Sequence, residues 1–280
     1  MLAAERQARI TERVAERGSV RVADLVEEFG VSDMTVRRDL DVLASQGVLS
    51  KVHGGAVPAA RRSEEPGFAA KATRMEREKD AIAAEAAQLV EPGMSIALSA
   101  GTTTRALARR LTDVPELTVI TNSTRISDVF HQAPRADRTV ILTGGIRTRS
   151  DALVGPTAVA ALRHTHVDLA FLGAHGISEE AGFTTPNYLE ADTNAALIAS
   201  ARRTAVLADH SKWGVIGVMT FAALTAADTL ISDQNLHPAA VAALSEHIGD
   251  LRLAETGPAR ADQSPGQSPH PTAPQEADQP

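Results

Sequence analysis

The tightest constraint on this chain is Val31-Ser32-Asp33-Met34-Thr35-Val36-Arg37-Arg38-Asp39-Leu40, followed ten residues later by Lys51-Val52-His53-Gly54-Gly55-Ala56. Ser32 can cap a helix that then places Met34, Val36, Leu40 and Leu43 inward and leaves Thr35, Arg37 and Arg38 outward. Upstream, Ile10, Val14 and Ala15 recur at helical spacing before Gly18, and Val22–Phe29 forms a second short helix closed by Gly30. Val48 to Val57 alternates weakly, as a two-stranded hairpin tipped by glycine would. Three helices and a wing within 57 residues make a winged helix-turn-helix, with the turn at Glu28-Phe29-Gly30-Val31-Ser32. Such a unit can set a short polar helix in a DNA major groove and grip the phosphates beside it.

A net charge of -7 argues against this only until it is localised. Between Thr35 and Arg62, five basic residues (Arg37, Arg38, Lys51, Arg61, Arg62) face two acidic ones, Asp39 and Asp41. Charge relevant to nucleic acid belongs to a face rather than to a whole chain. On this reading the DNA-contacting candidates are Ser32, Thr35, Arg37, Arg38, Lys51, His53 and Gly54.

Residues 58–70, with Pro58, Arg61, Arg62, Pro66 and Gly67, read as a linker, and a helix is expected from about Lys71 to Val90. Beyond it the pattern becomes strand-helix alternation. Apolar runs stand at Met94–Leu98, Leu117–Thr121, Thr139–Thr143, Val167–Leu172, Thr204–Ala208 and Thr229–Ile231. This predicts an α/β unit over 71–254, with a mainly parallel sheet and helices on both faces. From Glu255 to Pro280 no large apolar residue remains, so a disordered tail is expected. With no cysteine there is neither a disulfide nor a thiolate metal site, and no apolar stretch reaches membrane-spanning length. The chain reads as soluble and cytoplasmic, without metal, cofactor or membrane partner.

Three strand ends carry small polar groups: Gly101-Thr102-Thr103-Thr104, Thr121-Asn122-Ser123 and Thr143-Gly144-Gly145. Ligands of open α/β sheets bind at the carboxyl ends of strands, and the free N–H groups of a helix start favour an anion. Lys212 can pair with a phosphate, while Glu190, Asp209 and Asn122 can bond sugar hydroxyls. Each motif also has a plain reading: Gly-Thr-Thr as a helix cap, Gly144-Gly145 as a turn, Trp213 as packing. His175 fits a pocket rim, a packing position or a sensing role. His164 and His166, near Asp168, offer a metal pair or exposed histidines at a strand edge.

Taken in order, Val31–Leu40, Lys51–Ala56, Gly101–Thr104, Thr121–Ser123, Gly144-Gly145, Phe171-Leu172-Gly173-Ala174 and Asp209-His210-Ser211-Lys212 resemble the bacterial DeoR-type sugar-metabolism repressors over roughly residues 5–253. The resemblance implies a winged reader of operator DNA joined to a sensor similar in fold to ribose-phosphate isomerases and glucosamine-phosphate deaminases. It also implies a phosphorylated sugar or polyol as effector, and a homo-oligomer, dimer or tetramer. One departure is Asn194, where the family commonly has a lysine four residues after the glutamate matching Glu190; Ala100 also replaces a commonly more polar residue. The expected function is a transcriptional regulator acting as a repressor, without catalytic residues. The alternative is an isomerase or deaminase carrying a DNA-binding appendage, with Glu190, Asp209 or His175 as base.

Overall fold

The computed structural model describes residues 1–46, 48–52, 54–58 and 67–257. Its first unit contains α1 (Ala3–Arg17), β1 (Val20–Arg21), α2 (Val22–Phe29), α3 (Asp33–Ser45), β2 (Leu49–Val52) and β3 (Gly55–Pro58). Glycines 18 and 30 end α1 and α2 in the left-handed conformation, which costs a residue without Cβ nothing. Ile10, Val14, Leu25, Val36, Leu40, Leu43, Leu49 and Ala56 form the core of this unit.

The wing is a three-stranded antiparallel sheet of order β1-β3-β2, one strand more than alternation alone indicates. Gly55 is required there because a Cβ would lie 2.1 Å from the Val20 carbonyl oxygen. Met34 departs from expectation: it is 80% exposed. Val36, Leu40 and Leu43 share one helical stripe, and two residues before Val36 is about 200° round the helix, on the opposite face.

The second unit opens with α4 (Phe68–Ala72) and α5 (Glu76–Ala87), where a single helix was expected. Met75 takes φ 52°, which breaks the helical run. Then come β4 (Ser95–Leu98), α6 (Thr102–Arg110), β5 (Thr118–Thr121), α7 (Thr124–Gln132), β6 (Thr139–Leu142), β7 (Ile146–Arg147), β8 (Leu153–Val154), α8 (Pro156–Leu162) and β9 (Val167–Gly173). The chain continues through β10 (Gly176–Ser178), β11 (Gly182–Thr185), α9 (Tyr188–Ala199), β12 (Ala201–Leu207), β13 (Met219–Ala222), β14 (Thr229–Asp233), α10 (Pro238–His247) and β15 (Asp250–Ala254).

Seven strands form one sheet of order β15-β14-β12-β9-β4-β5-β6, parallel throughout. Successive strand residues point to opposite faces, so two cores result. Ile96, Leu98, Leu169, Phe171 and Leu207 pack under α5, α6 and α7. Ala97, Ala170, Leu172 and Val206 pack under α8, α9 and α10 together with Phe183 and Phe221. A small antiparallel sheet, β10-β11-β13, and the β7–β8 hairpin complete the unit.

Candidate functional site

In the first unit, Ser32 occupies the N-cap of α3, where its hydroxyl accepts from the Thr35 N–H at 3.2 Å and meets Thr35 Oγ1 at 2.8 Å. Arg37 and Arg38 are exposed on that helix. Arg37 Nε donates to Asp33 Oδ1 at 2.5 Å, and Lys51 Nζ on the wing donates to Asp41 Oδ1 at 2.5 Å. Both are surface pairs, so each cation can exchange its partner for another anion at small cost. Asp39 is instead buried, taking Arg6 Nε at 2.5 Å and Gln7 Nε2 at 2.8 Å. It therefore holds α1 to α3 and subtracts nothing from the exposed basic face. Gly54 takes φ 78°, and its carbonyl accepts from the Val22 N–H. His53, Arg61 and Arg62 lie outside the described residues.

In the second unit, the parallel register brings the carboxyl ends of β12, β9, β4 and β5 side by side. At about 4.8 Å per strand this row spans roughly 15 Å. Hydrogen bonds tie the loops together: Asn122 Oδ1 accepts from the Ala100 N–H at 2.8 Å, and Ser99 Oγ accepts from the Gly173 N–H at 3.0 Å. Thr121 Oγ1 donates to the Leu98 carbonyl, Asn122 Nδ2 donates to the Leu153 carbonyl, and Ser123 Oγ caps α7. Thr121, Asn122 and Ser123 are buried, so these side chains brace the loops.

Gly101 precedes α6, and a Cβ there would approach Thr104 Oγ1 to 2.9 Å. Thr102, Thr103 and Thr104 form the first turn of α6, whose N–H groups have no carbonyl a turn earlier to bond. The hydroxyl of Thr104 is buried without a partner among the described residues. Gly144 and Gly145 make a turn in which a Cβ on Gly145 would meet the Val154 carbonyl oxygen at 2.6 Å.

Glu190 stands in the first turn of α9, capped by Asn187. Its Oε1 accepts from Ser150 at 2.5 Å and Thr148 at 3.2 Å, and its Oε2 accepts from Thr185 at 2.9 Å. The β7–β8 hairpin thus links Glu190 on one side to Asn122, through Leu153, on the other. Asp209 is buried and caps a short 3-10 turn, His210–Lys212, accepting from the backbone and hydroxyl of Ser211. His210 Nδ1 lies 2.8 Å from Asp233 Oδ1, and its backbone N–H donates to Asp233 Oδ2 at 2.8 Å. Burial alone would raise the Asp233 carboxyl, but the His210 side-chain and backbone bonds outweigh it and hold it low. The same carboxylate raises His210, against burial and with help from Asp209 and Glu78.

Lys79 is a residue sequence reasoning passed over. It lies in Glu76-Arg77-Glu78-Lys79-Asp80, which reads as a solvated face, yet its side chain is buried. Its ammonium donates to the carbonyls of Lys71 and Arg74, each at 2.5 Å. Burial pushes it down to about 8, with Asp209 pulling upward and Lys212 downward. Lys79 therefore senses the same charges that Asp209 and Lys212 bring to the end of β12. Only burial in the assembled fold distinguishes it, and periodicity carries no such signal.

The remaining candidates are dispersed. His164 and His166 are exposed in the loop before β9, and Asp168 accepts from the Ser95 backbone and hydroxyl. No group of three histidine or acidic residues able to hold a metal occurs among the described residues. Trp213 packs against the core under α9. His175 donates its backbone N–H to the Thr184 carbonyl, and Asn194 is half-buried on α9. A cavity of about 540 Å³ lined by Met94, Asp168, Arg202 and Arg203 sits at the opposite, amino-terminal edge of the sheet. Among the described residues no helix is long and apolar enough to cross a membrane.

Comparison with known proteins matches residues 6–62 to the DeoR-like helix-turn-helix domain and residues 74–234 to the DeoR C terminal sensor domain. The HTH-type transcriptional regulator GlpR of Haloferax volcanii is 37% identical over 237 residues, 84% of this chain and 92% of that protein. The glycerol-3-phosphate regulon repressor of Escherichia coli is 30% identical over 245 residues, 87% of this chain and 96% of that one. Among solved structures, ribose 5-phosphate isomerase A of Methanocaldococcus jannaschii is similar over 48% of this chain and 53% of that chain, at 22% identity and a TM-score of 0.36. The two sequence relatives, GlpR and the glycerol-3-phosphate regulon repressor, are named as a regulator and a repressor rather than as enzymes. By both of its domains, this chain belongs to the DeoR family of transcriptional regulators.

Proposed function

We propose that this regulator represses genes of carbohydrate metabolism and that a phosphorylated sugar or polyol, bound at the strand-end row, changes its grip on operator DNA. The observation that carries the sensor half is the row of parallel strand ends, where the first turn of α6 follows β4 and the Asp209–Lys212 turn follows β12. A phosphate monoester there would meet backbone N–H groups of Thr102, Thr103 and Thr104 and two ammonium groups, all donors suited to a dianion. The carboxylates of Asp209 and Glu190 suit sugar hydroxyls as acceptors. Gly101, Thr121, Asn122, Ser123, Gly144 and Gly145 shape the loops around that ligand. One relative's name specifies glycerol 3-phosphate, so a three-carbon polyol phosphate belongs on any test panel.

In the other half, α3 carries the reading residues Thr35, Arg37 and Arg38, while Ser32, Lys51, His53 and Gly54 position the head against phosphates. The division proposed is a head at 1–57, a linker at 58–70, a sensor at 71–254 and a tail at 255–280. Specific affinity from so small a head calls for two heads on one duplex, hence a dimer or tetramer joined through the sensor. In support, β6 forms one edge of the sheet and exposes Val140, Ile141 and Leu142, with Ile146 beyond.

The test is a melting and operator-release screen of pure protein with sugar and polyol phosphates. A ligand that stabilises the fold, is not turned over and weakens operator binding supports the reading. Turnover, or silence across the panel, removes it.

A further inference from the structure

Helix α4 is the first described segment after the connection to the DNA-reading head, and it is held at both ends by neighbours of the proposed effector site. At its start, the Phe68 N–H donates to the Arg149 carbonyl at 3.4 Å. Two guanidinium groups, Arg105 and Arg125, each lie 5.6 Å from the centroid of the Phe68 ring. Those arginines stand near the starts of α6 and α7, the helices whose first turns flank the strand-end row. Arg105 Nε is buried without a hydrogen-bond partner among the described residues, so the face of Phe68 is a partner that guanidinium has.

Arg125 is steadied by Asp151 at 2.8 Å, and Asp151 also takes Arg147 at 2.6 Å. Arg149 and Asp151 occupy the tip of the hairpin whose Thr148 and Ser150 bond Glu190. At the other end of α4, the carbonyls of Lys71 and Arg74 are satisfied by the ammonium of Lys79.

We infer that Phe68 and Lys79 are positioning residues for the effector response, and that α4 is a latch between sensor and head. This rests on the effector reading given above. An anion at the end of β12 competes with the Lys71 and Arg74 carbonyls for the same buried ammonium. When Lys79 turns to the anion, the end of α4 loses both of its acceptor contacts. Movement of α6, α7 and the hairpin tip around the ligand loosens the Phe68 seat at the other end. The chain leading to the head then changes its constraint with no direct contact between ligand and DNA. Coupling of this kind needs a two-state element that both sites bias, and this is the role the inference gives to α4.

The experiment is amide hydrogen exchange across residues 67–75 of the full-length chain, read in inorganic phosphate against sodium chloride at equal ionic strength, with melting followed in parallel. In the wild type, phosphate should raise the melting temperature and speed exchange in this segment by about tenfold, mid-range for an allosteric coupling. Phe68→Ala should keep the melting response, exchange rapidly with or without phosphate, and lose the phosphate dependence. Phe68→Tyr, which preserves the ring, should restore the wild-type pattern. A purely structural Phe68 would lower melting but leave the phosphate dependence of exchange in place, and that result overturns the latch. Phosphate that stabilises the wild type without altering exchange at 67–75 also overturns it, while the effector reading stands. Phosphate that does neither removes both.

Discussion

Asp233 holds His210 twice, through the imidazole Nδ1 at 2.8 Å and through the backbone N–H at 2.8 Å, at the point where β12 and β14 end side by side. The pair fixes the turn that carries Asp209 and Lys212, so its protonation state bears on the whole strand-end row. His210 is raised from its ordinary 6.5, and such a group stabilises the fold fully below 6.5 and loses that contribution as pH climbs through its folded value. Asp233 is lowered from 3.8, so its part is present above 3.8 and fades only as pH falls through its folded value. His210→Gln should therefore lower the melting temperature more at pH 6 than at pH 9. Equal losses at both values would refute a charged His210.

At the DNA face, Arg38 is exposed and makes no ion pair among the described residues, whereas Arg37 and Lys51 are each held by a carboxylate. If Arg38 reads a base, Arg38→Ala should cost about 1–3 kcal/mol and relax specificity at one operator position. Asp33→Asn and Asp41→Asn remove competing anions beside Arg37 and Lys51, so both should strengthen binding to any duplex. Titrations with fluorescent duplexes at two salt concentrations separate these effects, because Lys51→Ala should lower the salt slope by about one. Unchanged binding of Arg38→Ala would move the reading face elsewhere.

For the sensor, a ligand at about 100 times its dissociation constant should add roughly 2.7 kcal/mol of stability. Phosphate monoesters take their second charge near pH 6, whereas Lys79 sits near 8. Effector affinity should accordingly peak between these values and fall as pH rises through about 8. Lys79→Met should flatten the alkaline limb, as calorimetry with the effector found in the screen would show. Lys212→Ala should fold and bind operator yet no longer release it. A Lys212→Ala protein released normally by the effector would strip that residue of its role.

Asn122 joins the β4 loop to β8 through Ala100 and Leu153. Asn122→Ala leaves a buried amide N–H and a carbonyl without their partner, at about 1–3 kcal/mol each. Chemical denaturation should show a loss of about 2–6 kcal/mol for the sensor. Asn122→Asp should fare no better, since it replaces a donor toward the Leu153 carbonyl by an acceptor. A variant with wild-type stability would mean that water replaces both bonds.

The β6 edge supplies the assembly test. Val140 and Leu142 are 36% and 41% exposed, and Ile141, between them, is 47% exposed. If the chain assembles through this edge, Ile141→Lys should give a monomer in sedimentation at micromolar concentration while leaving the melting of the isolated fold nearly intact. An unchanged sedimentation coefficient would place the contact on another face.

Much of the architecture is legible because it follows short-range rules. Ser32, Gly18 and Gly30 mark helix ends through local backbone chemistry, and five of the six apolar runs announce strands buried on both faces, β6 being the exposed exception. The seventh strand, Asp250–Ala254, escapes that reading because it lies at an edge and alternates Asp250 and Arg252 with its leucines. The strands of the small antiparallel sheet are three or four residues long, too short for periodicity to register. Met34 sits beside an apolar stripe without belonging to it. The break between α4 and α5 rests on the left-handed backbone of Met75, which a non-glycine residue type does not announce. The polar loops of the site announce themselves, but their wiring does not: Glu190 meets Ser150 across 40 positions, and Asn122 meets Leu153 across 31.

The pairing of β4 with β9 joins Leu98 to Phe171, and the turn holding Lys212 depends on Asp233, near the far end of the described chain. The winged head, by contrast, is complete once Pro58 has been made. At about 5–20 residues per second, a ribosome needs roughly 10 to 35 seconds to travel from one point to the other. If the head folds as it emerges, a nascent chain carries a reader before it has a sensor. Such a copy would be deaf to metabolite until the last strands of the sheet had been made.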